Sequence, residues 1–293
     1  MINQNIANLM GMARSAQLAG NQEEALSYFN RVLEADPTLS EAWMGKGKAA
    51  AWQSSLANIR TAEGVVAFGH AIATAPEAEK PTVTELAVEE MNRLVVTLYG
   101  MARRQLDQFV ALPNMWAQYL GQVSQLITAL EEVRIWSPHN RTTLENIVHL
   151  CKDNIEGISY NDPYDNNLSK AWHLSAEYEA LLKSRLDAAV DALRLSDPAY
   201  SAPVIEKKQP AECFVVTATM GDADHPTVAV LRRFRDEWLT RRAWGRACMN
   251  QYYRLGPNLA RRIAPSPFRR RVTYCLVVAP AARVARWIVR TGD

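Results

Sequence analysis

The sequence lacks the motifs that would assign a chemistry directly. Its four cysteines form neither a CxxC pair nor a zinc-ligand spacing, and its histidines are scattered. No HExxH, GxSxG or glycine-rich phosphate-binding motif occurs. These absences argue against a metal enzyme and against an ordinary nucleotide enzyme, so we predict neither a metal nor a cofactor.

Long apolar runs are also missing. None reaches the roughly 18–20 residues that a membrane-spanning helix needs. The first residues lack the basic start and the apolar stretch of a signal peptide. We therefore expect a cytoplasmic protein whose thiols are mostly reduced.

Lysine is absent from residues 213–293, where fifteen arginines accompany only five acidic residues. This segment has a net charge of +10, which leaves −8 for residues 1–212. Such an asymmetry suggests that the C-terminal segment has an anionic partner or docks on the acidic part of the chain. A plain solvated basic surface is the alternative.

Helix-forming residues are abundant, and the clearest helix lies in AGNQEEALSYFNRVLEADP, residues 19–37. Gly20-Asn21 predicts a turn before this helix, and Pro37 predicts its end. Its apolar residues fall on one helical face, namely Ala25, Phe29, Val32 and Leu33. The spacing therefore predicts an amphipathic helix that packs on an upstream partner.

The same pattern recurs 39 residues later, with Gly64, Phe68 and Pro76 in the corresponding positions. Residues 6–77 resemble two tetratricopeptide repeats, the second lengthened by about five residues relative to the usual period of about 34. This resemblance implies right-handed stacking of helical hairpins and a concave groove that binds a peptide.

Stacking is also required by packing, because one hairpin cannot cover its own apolar face and at least about three units are needed. Residues 81–195 should therefore supply further helical hairpins or a bundle. The apolar spacing predicts helices over residues 84–110, 113–136, 139–157 and 166–195. Residues 196–212 contain three prolines and no helical periodicity, which predicts a linker.

The segment after the linker opens with Cys-Phe-Val-Val-Thr-Ala and continues to Leu-Arg-Arg-Phe-Arg-Asp at residues 231–236. In these motifs it resembles the bacterial CFI-box C-terminal domain over about 50 residues, although Met220 stands where that family usually has an aromatic residue. The resemblance implies a portable C-terminal module and no particular activity.

Two apolar helical stripes are expected to form the core of this module, with arginines on the opposite faces. The first contains Val228, Leu231, Phe234 and Trp238, and the second contains Trp244, Cys248, Tyr252 and Leu255. Gly256-Pro257, Pro265-Ser266-Pro267 and Pro280 predict helix breaks. The opening CFVVTA is compatible with either a strand or a helix.

Cys213 is the residue most open to a chemical role. A reactive thiolate needs a nearby base or cation, and His225 lies twelve residues further on. A Cys213–His225 dyad would make a thiol enzyme, and a modified Cys213 would make a switch or a lipid anchor. We favour the alternative that Cys213 is a buried apolar residue and that His225-Pro226 merely begins a helix capped by Asp222 or Asp224.

The arginines of the C-terminal module admit three kinds of partner. The contact residues that we predict are Arg232, Arg235, Arg241 and Arg242. They would dock on acidic protein surfaces, lie on an anionic membrane or contact nucleic-acid phosphates. We favour protein docking, keep a membrane-associated effector as the alternative and disfavour nucleic acid.

Together these patterns predict an all-α protein with repeats over 1–80, further hairpins over 81–195, a linker over 196–212 and a basic module over 213–293. We expect an interaction scaffold without catalytic activity, whose groove binds a peptide, a partner protein or a second copy of the chain. The predicted groove residues are Asn8, Arg14, Lys46 and Lys48. Binding of the basic module to lipid would place the protein peripherally at the inner membrane.

Overall fold

The computed structural model describes residues 4–164, 168–208, 213–222, 225–239 and 241–291. Helices make up 76% of the chain and successive helices pack on one another, which confirms the all-α prediction. The chain forms two compact units. Unit 1 contains Met1–Gly157 and His173–Lys207, and unit 2 contains Ile158–Trp172 and Lys208–Asp293.

Unit 1 is a stack of helical hairpins. Its helices are α1 (Gln4–Leu18), α2 (Gln22–Ala35), α3 (Ser40–Ala51), α4 (Thr61–Thr74), α5 (Lys80–Phe109), α6 (Met115–Trp136), α7 (Arg141–Glu156) and α8 (Ala176–Ser196). Neighbours along the chain pack together, and α1, α3, α5 and α7 also contact one another in sequence. We call these four helices the odd-helix layer.

The turn between α1 and α2 forms where the sequence predicts it. Gly20 has a φ of 79°, in the left-handed region that glycine adopts at little energetic cost. Asn21 caps α2, since its Oδ1 accepts a hydrogen bond from the Glu24 N–H at 3.2 Å. Local backbone chemistry therefore sets the first hairpin.

Two phenylalanine rings pack on helix α3, one from each of its neighbours along the chain. Phe29 on α2 and Phe68 on α4 are 2% and 0% exposed. The first ring lies against Gly45 and the second against Gly47, where an added Cβ would come within 2.1 Å and 2.5 Å of ring carbons. Glycines on α3 therefore allow the two rings to pack against its backbone.

The helix predicted over residues 166–195 begins later than expected. Leu168–Trp172 forms strand β2, antiparallel to strand β1 (Ile158–Asp162), with Ile158 opposite Trp172. Gly157 ends α7 with a φ of 78°, and Ser175 caps α8 at its start. The polar, proline-containing segment between the strands favours a turn, so a hairpin forms where helical periodicity alone predicts a helix.

Helices form the rest of unit 2. They are α9 (Phe214–Met220), α10 (Pro226–Phe234), a π-helical turn (Arg235–Leu239), α11 (Ala243–Ile263), α12 (Pro267–Thr273), a second π-helical turn (Tyr274–Val278) and α13 (Ala279–Thr291). The opening CFVVTA is thus helical from Phe214. The core of this unit consists of Cys213, Val228, Leu231, Val278, Ala282 and Ala285.

Of the three predicted helix breaks in unit 2, the one at Pro265-Ser266-Pro267 occurs, between α11 and α12, and the other two do not. Helix α11 runs through Gly256-Pro257, and the chain stays helical through Pro280. A Cβ on Gly256 would lie 3.1 Å from Phe214 Cδ2, so this glycine serves a close helix contact. Pro280 lies just after the second π-helical turn, where the regular helical hydrogen-bond pattern is already interrupted.

Candidate functional site

Ion pairs join neighbouring helices of the odd-helix layer. Between α1 and α3, Arg14 Nε donates a hydrogen bond to Glu41 Oε1 at 2.9 Å, and both side chains are more than half exposed. Between α3 and α5, Lys48 Nζ lies 3.7 Å from Glu90 Oε2. Opposite charges thus alternate along one side of unit 1.

Glu90 is the centre of a polar cluster on this layer. Its carboxylate is nearly buried, accepts a hydrogen bond from Trp52 Nε1 and pairs with Arg93 Nη2 at 2.8 Å. The Arg93 guanidinium also lies over the Trp52 ring, 5.1 Å from its centroid. Together with Lys48, these groups supply the partners that a buried carboxylate requires.

The next junction, between α5 and α7, contains a network of neutral side chains. Asn146 Nδ2 donates to Asn92 Oδ1, and Asn92 Nδ2 donates to Thr143 Oγ1, both at 2.8 Å. A surface groove runs beside this network and is lined partly by Val88, Arg93, Val96, Asn140 and Thr142. Arg93 therefore belongs both to the Glu90 cluster and to the groove.

A tyrosine closes the same junction further along α5. Tyr99 Oη donates to Asp153 Oδ2 at 3.0 Å and accepts from Tyr119 Oη at 3.2 Å. Burial raises the pKa of Tyr99 well above its usual range. Its phenol stays neutral and acts as a structural hydrogen-bond donor.

The structure separates the four predicted groove residues. Arg14 and Lys48 lie in the ion pairs of the odd-helix layer. Lys46 lies over the Trp43 ring at 5.0 Å, on the opposite side of α3 from Lys48, because residues two positions apart do not share a helix face. Asn8 is exposed and accepts a hydrogen bond from Gln4 Nε2 at 3.3 Å.

Sequence reasoning did not identify Glu41, Trp52, Glu90 or Arg93. The signal for Glu90 is an acidic residue that interrupts the buried stripe of Ala87, Val88 and Met91 on α5. An acid inside an apolar stripe indicates a partner from another helix. The partner itself lies on α3, far away in sequence.

Cys213 lies in the core of unit 2, where it is 6% exposed. The helix that follows it is held by the Val215 N–H, which donates to Tyr252 Oη at 3.0 Å. Burial raises the pKa of the Tyr252 phenol, and the neighbouring Cys213 thiolate would raise it further. These surroundings are those of a packed cysteine.

His225 caps α10. Its Nδ1 accepts a hydrogen bond from the Thr227 N–H at 3.1 Å, the role that the sequence predicts for Asp222 or Asp224. Asp224 lies outside the described residues. Among the described residues, the structure records no hydrogen bond between Cys213 and His225, so the predicted dyad stays a hypothesis.

The predicted docking arginines have different environments. Arg235 is buried and its Nη1 donates to Tyr253 Oη at 3.3 Å. Arg242 lies 3.7 Å from the centroid of the Trp238 ring and donates to the Trp238 carbonyl at 2.9 Å. Arg232 is partly buried, and Arg241 is exposed. Arg241 therefore remains the most accessible of the four predicted contacts.

The second apolar stripe of the module is covered only at Tyr252, which packs on Phe214, contrary to expectation. Trp244 and Leu255 are 55% and 57% exposed, and Cys248 is exposed as well. In the first stripe, Val228 and Leu231 are buried, as expected. Periodicity thus located both apolar faces correctly, but the rest of the chain leaves Trp244, Cys248 and Leu255 of the second face exposed.

These features define a class: an all-α protein of stacked helices with a basic helical unit at its C-terminal end. No protein-family model matches the chain, and no curated protein matches it. In the part that the structure describes, no helix is both long and apolar enough to cross a membrane. Nor do three or more His, Cys, Asp and Glu side chains group there as metal ligands would.

Because Cys213 is buried, its thiol should be unreactive in the folded chain. We expect Cys213 to react slowly with a thiol probe at neutral pH until the chain is denatured. Cys151 should behave alike, because burial raises the pKa of its thiol to about 12. Labelling of the Cys248→Ser/Cys275→Ser variant, which lacks the two exposed thiols, is followed by peptide mass spectrometry. Fast labelling of Cys213 that disappears in His225→Ala would instead support the thiol dyad.

Proposed function

We propose that this protein is an interaction scaffold of the tetratricopeptide type, which binds an extended peptide segment of a partner protein along the odd-helix layer. The proposal rests on the alternating charged row formed by Arg14, Glu41, Lys48, Glu90 and Arg93. In this proposal the C-terminal unit, which resembles a CFI box, is the effector element that the repeats direct to a partner.

The charged side chains in this row can give up their ion-pair partners for groups of a bound peptide. The side chains of Arg14, Glu41 and Arg93 are 54%, 61% and 65% exposed. An exposed ion pair contributes only about 0–1 kcal/mol, so a peptide group can replace one member at little loss. An extended peptide has free backbone donors and acceptors, and charged side chains form the stronger hydrogen bonds with them.

The groove between α5 and α7 extends this surface. Val96, which is 48% exposed, gives it an apolar contact, and Asn140 and Arg93 give it polar ones. Binding sites commonly combine apolar walls with a few placed polar groups. The row and the groove share Arg93, so one peptide can contact both.

Affinity capture from the native host tests this function. We expect the Arg14→Gln/Lys48→Gln variant to recover a specific partner roughly tenfold less well than the wild-type chain, because it loses two charge-assisted contacts. Lys46→Gln is the matched control, since it removes a lysine from the opposite side of α3. Glu90 keeps Trp52 and Arg93 in the Lys48 variant, so the fold should persist, which circular dichroism checks.

The opposite result would refute the assignment. If Lys46→Gln reduces recovery while Arg14→Gln/Lys48→Gln does not, the odd-helix layer is not the binding surface. Equal recovery by all variants would leave the row of ion pairs with a structural role alone.

A further inference from the structure

The last helical segment of unit 2 has two apolar faces. Its inner face is buried and consists of Val278, Ala282 and Ala285 in the core of the unit, where α13 packs on α10. Its outer face is exposed and consists of Phe268, Val272, Leu276, Pro280, Val284 and Trp287. We call this second set the outer stripe.

The outer stripe is continuous along the helix axis. Its members follow one another at intervals of four, four, four, four and three residues, across α12, the π-helical turn and α13. Phe268, Leu276 and Trp287 are 75%, 74% and 68% exposed. At 1.5 Å per residue, the helical segment is about 37 Å long. This length and degree of exposure exceed what isolated surface residues produce.

Arginines accompany the stripe without compensating acids. The segment Pro267–Thr291 contains six arginines and no acidic residue, and no Asp or Glu occurs from Trp238 to Gly292. The exposed arginines described on it are Arg269, Arg271, Arg283 and Arg286. A basic helix with large apolar side chains in one row has the composition of a segment that lies in a membrane interface.

We propose that the outer stripe of α12 and α13 binds the surface of an anionic lipid bilayer, with the helix axis in the plane of the interface. The apolar row enters the boundary between headgroups and acyl chains, and the arginines contact lipid phosphates. Phe268 and Trp287 stand at the two ends of the row. This inference does not depend on peptide binding by unit 1.

Two other occupants fit the same surface less well. Single-stranded nucleic acid is bound by rows of aromatic side chains, whereas the middle of the stripe is aliphatic, with Val272, Leu276 and Val284. A second copy of the stripe would bring two arginine rows together, and the segment has no acidic residue to pair with them. An anionic bilayer satisfies both the apolar row and its charge.

Vesicle flotation with the full-length chain tests the proposal. The wild-type chain should float with vesicles of phosphatidylcholine mixed with phosphatidylserine, and should remain in solution with phosphatidylcholine alone or at high salt. Arg283→Gln/Arg286→Gln should lower the partition coefficient roughly thirtyfold, the effect of two charges near an anionic surface.

A matched pair of leucine variants isolates the apolar contribution. Leu276→Ser should lower partitioning about tenfold, because it removes a side chain that the bilayer buries. Leu195→Ser is the control, since Leu195 on α8 is 77% exposed against 74% for Leu276. Its partitioning should equal that of the wild-type chain. Thermal unfolding checks that both variants fold.

Three outcomes overturn the proposal. One is flotation that is equal for Leu276→Ser and Leu195→Ser. Another is tight binding of a single-stranded oligonucleotide without binding to vesicles, which assigns the surface to nucleic acid. The last is a wild-type dimer that Leu276→Ser converts to a monomer while vesicles bind neither, which assigns the stripe to self-association.

Discussion

Replacing Phe29 with alanine is expected to lower the free energy of unfolding by about 3–5 kcal/mol. The ring is 2% exposed and fills the space between α2 and the backbone of α3 at Gly45. Alanine would leave a cavity that helix backbones on both sides cannot fill by small shifts. Chemical denaturation followed by circular dichroism measures the loss.

The control for this variant is another phenylalanine. Phe268 is 75% exposed, so Phe268→Ala should change the free energy of unfolding by no more than about 0.5 kcal/mol. Equal losses for the two variants would mean that Phe29 does not join the hairpins as described. That result would remove the packing basis of unit 1.

Gly45→Ala should lower the free energy of unfolding by about 1–3 kcal/mol, although alanine is the better helix former. The new Cβ would lie 2.1 Å from Phe29 Cζ, and the buried ring has little room to move. Overpacking therefore outweighs the gain of about 1 kcal/mol that Gly→Ala gives in an open helix.

Gly11→Ala should change the free energy of unfolding in the opposite direction. Nothing lies within 4 Å of a Cβ built on Gly11 of α1, so this variant should gain about 0.5–1 kcal/mol. In the Phe29→Ala background, Gly45→Ala should lose its penalty, and the double-mutant cycle measures that coupling. A Gly45→Ala variant as stable as Gly11→Ala would contradict the ring-on-glycine contact.

The first four helices could be predicted because their determinants are local. Gly20-Asn21 sets a turn, and the apolar faces around Phe29 and Phe68 repeat at one interval. The second repeat has Gly64 where such repeats usually have alanine. Packing explains this glycine, because a Cβ on Gly64 would meet the Ala51 Cβ at 3.0 Å. Residue composition and the spacing of apolar residues are therefore enough to predict most of the first four helices.

The partners within the candidate site could not be predicted. The sequence predicts that Arg14 and Lys48 are exposed, each on the first helix of a hairpin. It does not show that Arg14 faces Glu41 on α3 or that Lys48 faces Glu90 on α5. Those pairings depend on how neighbouring hairpins align, which side-chain period does not encode. Lys46 appeared equivalent to Lys48 for the same reason.

The sequence also could not predict which apolar faces of the C-terminal helices are buried by other helices. Periodicity finds an apolar face but does not say whether another helix covers it. Trp244 and Leu255 satisfy the spacing of a core face and are nevertheless exposed. On α13, small residues face the core and large ones face outward, an arrangement that an average hydrophobicity pattern does not distinguish from its reverse.

The ring-on-glycine contacts have an evolutionary consequence. Positions 29 and 45 share one volume, as do positions 68 and 47, since each ring occupies the space that a side chain on α3 would take. A lineage that enlarges one member must shrink the other, or lose the close packing of α3 on α2 or on α4. The two positions of each pair should therefore co-vary among homologues, while the residues around them vary independently.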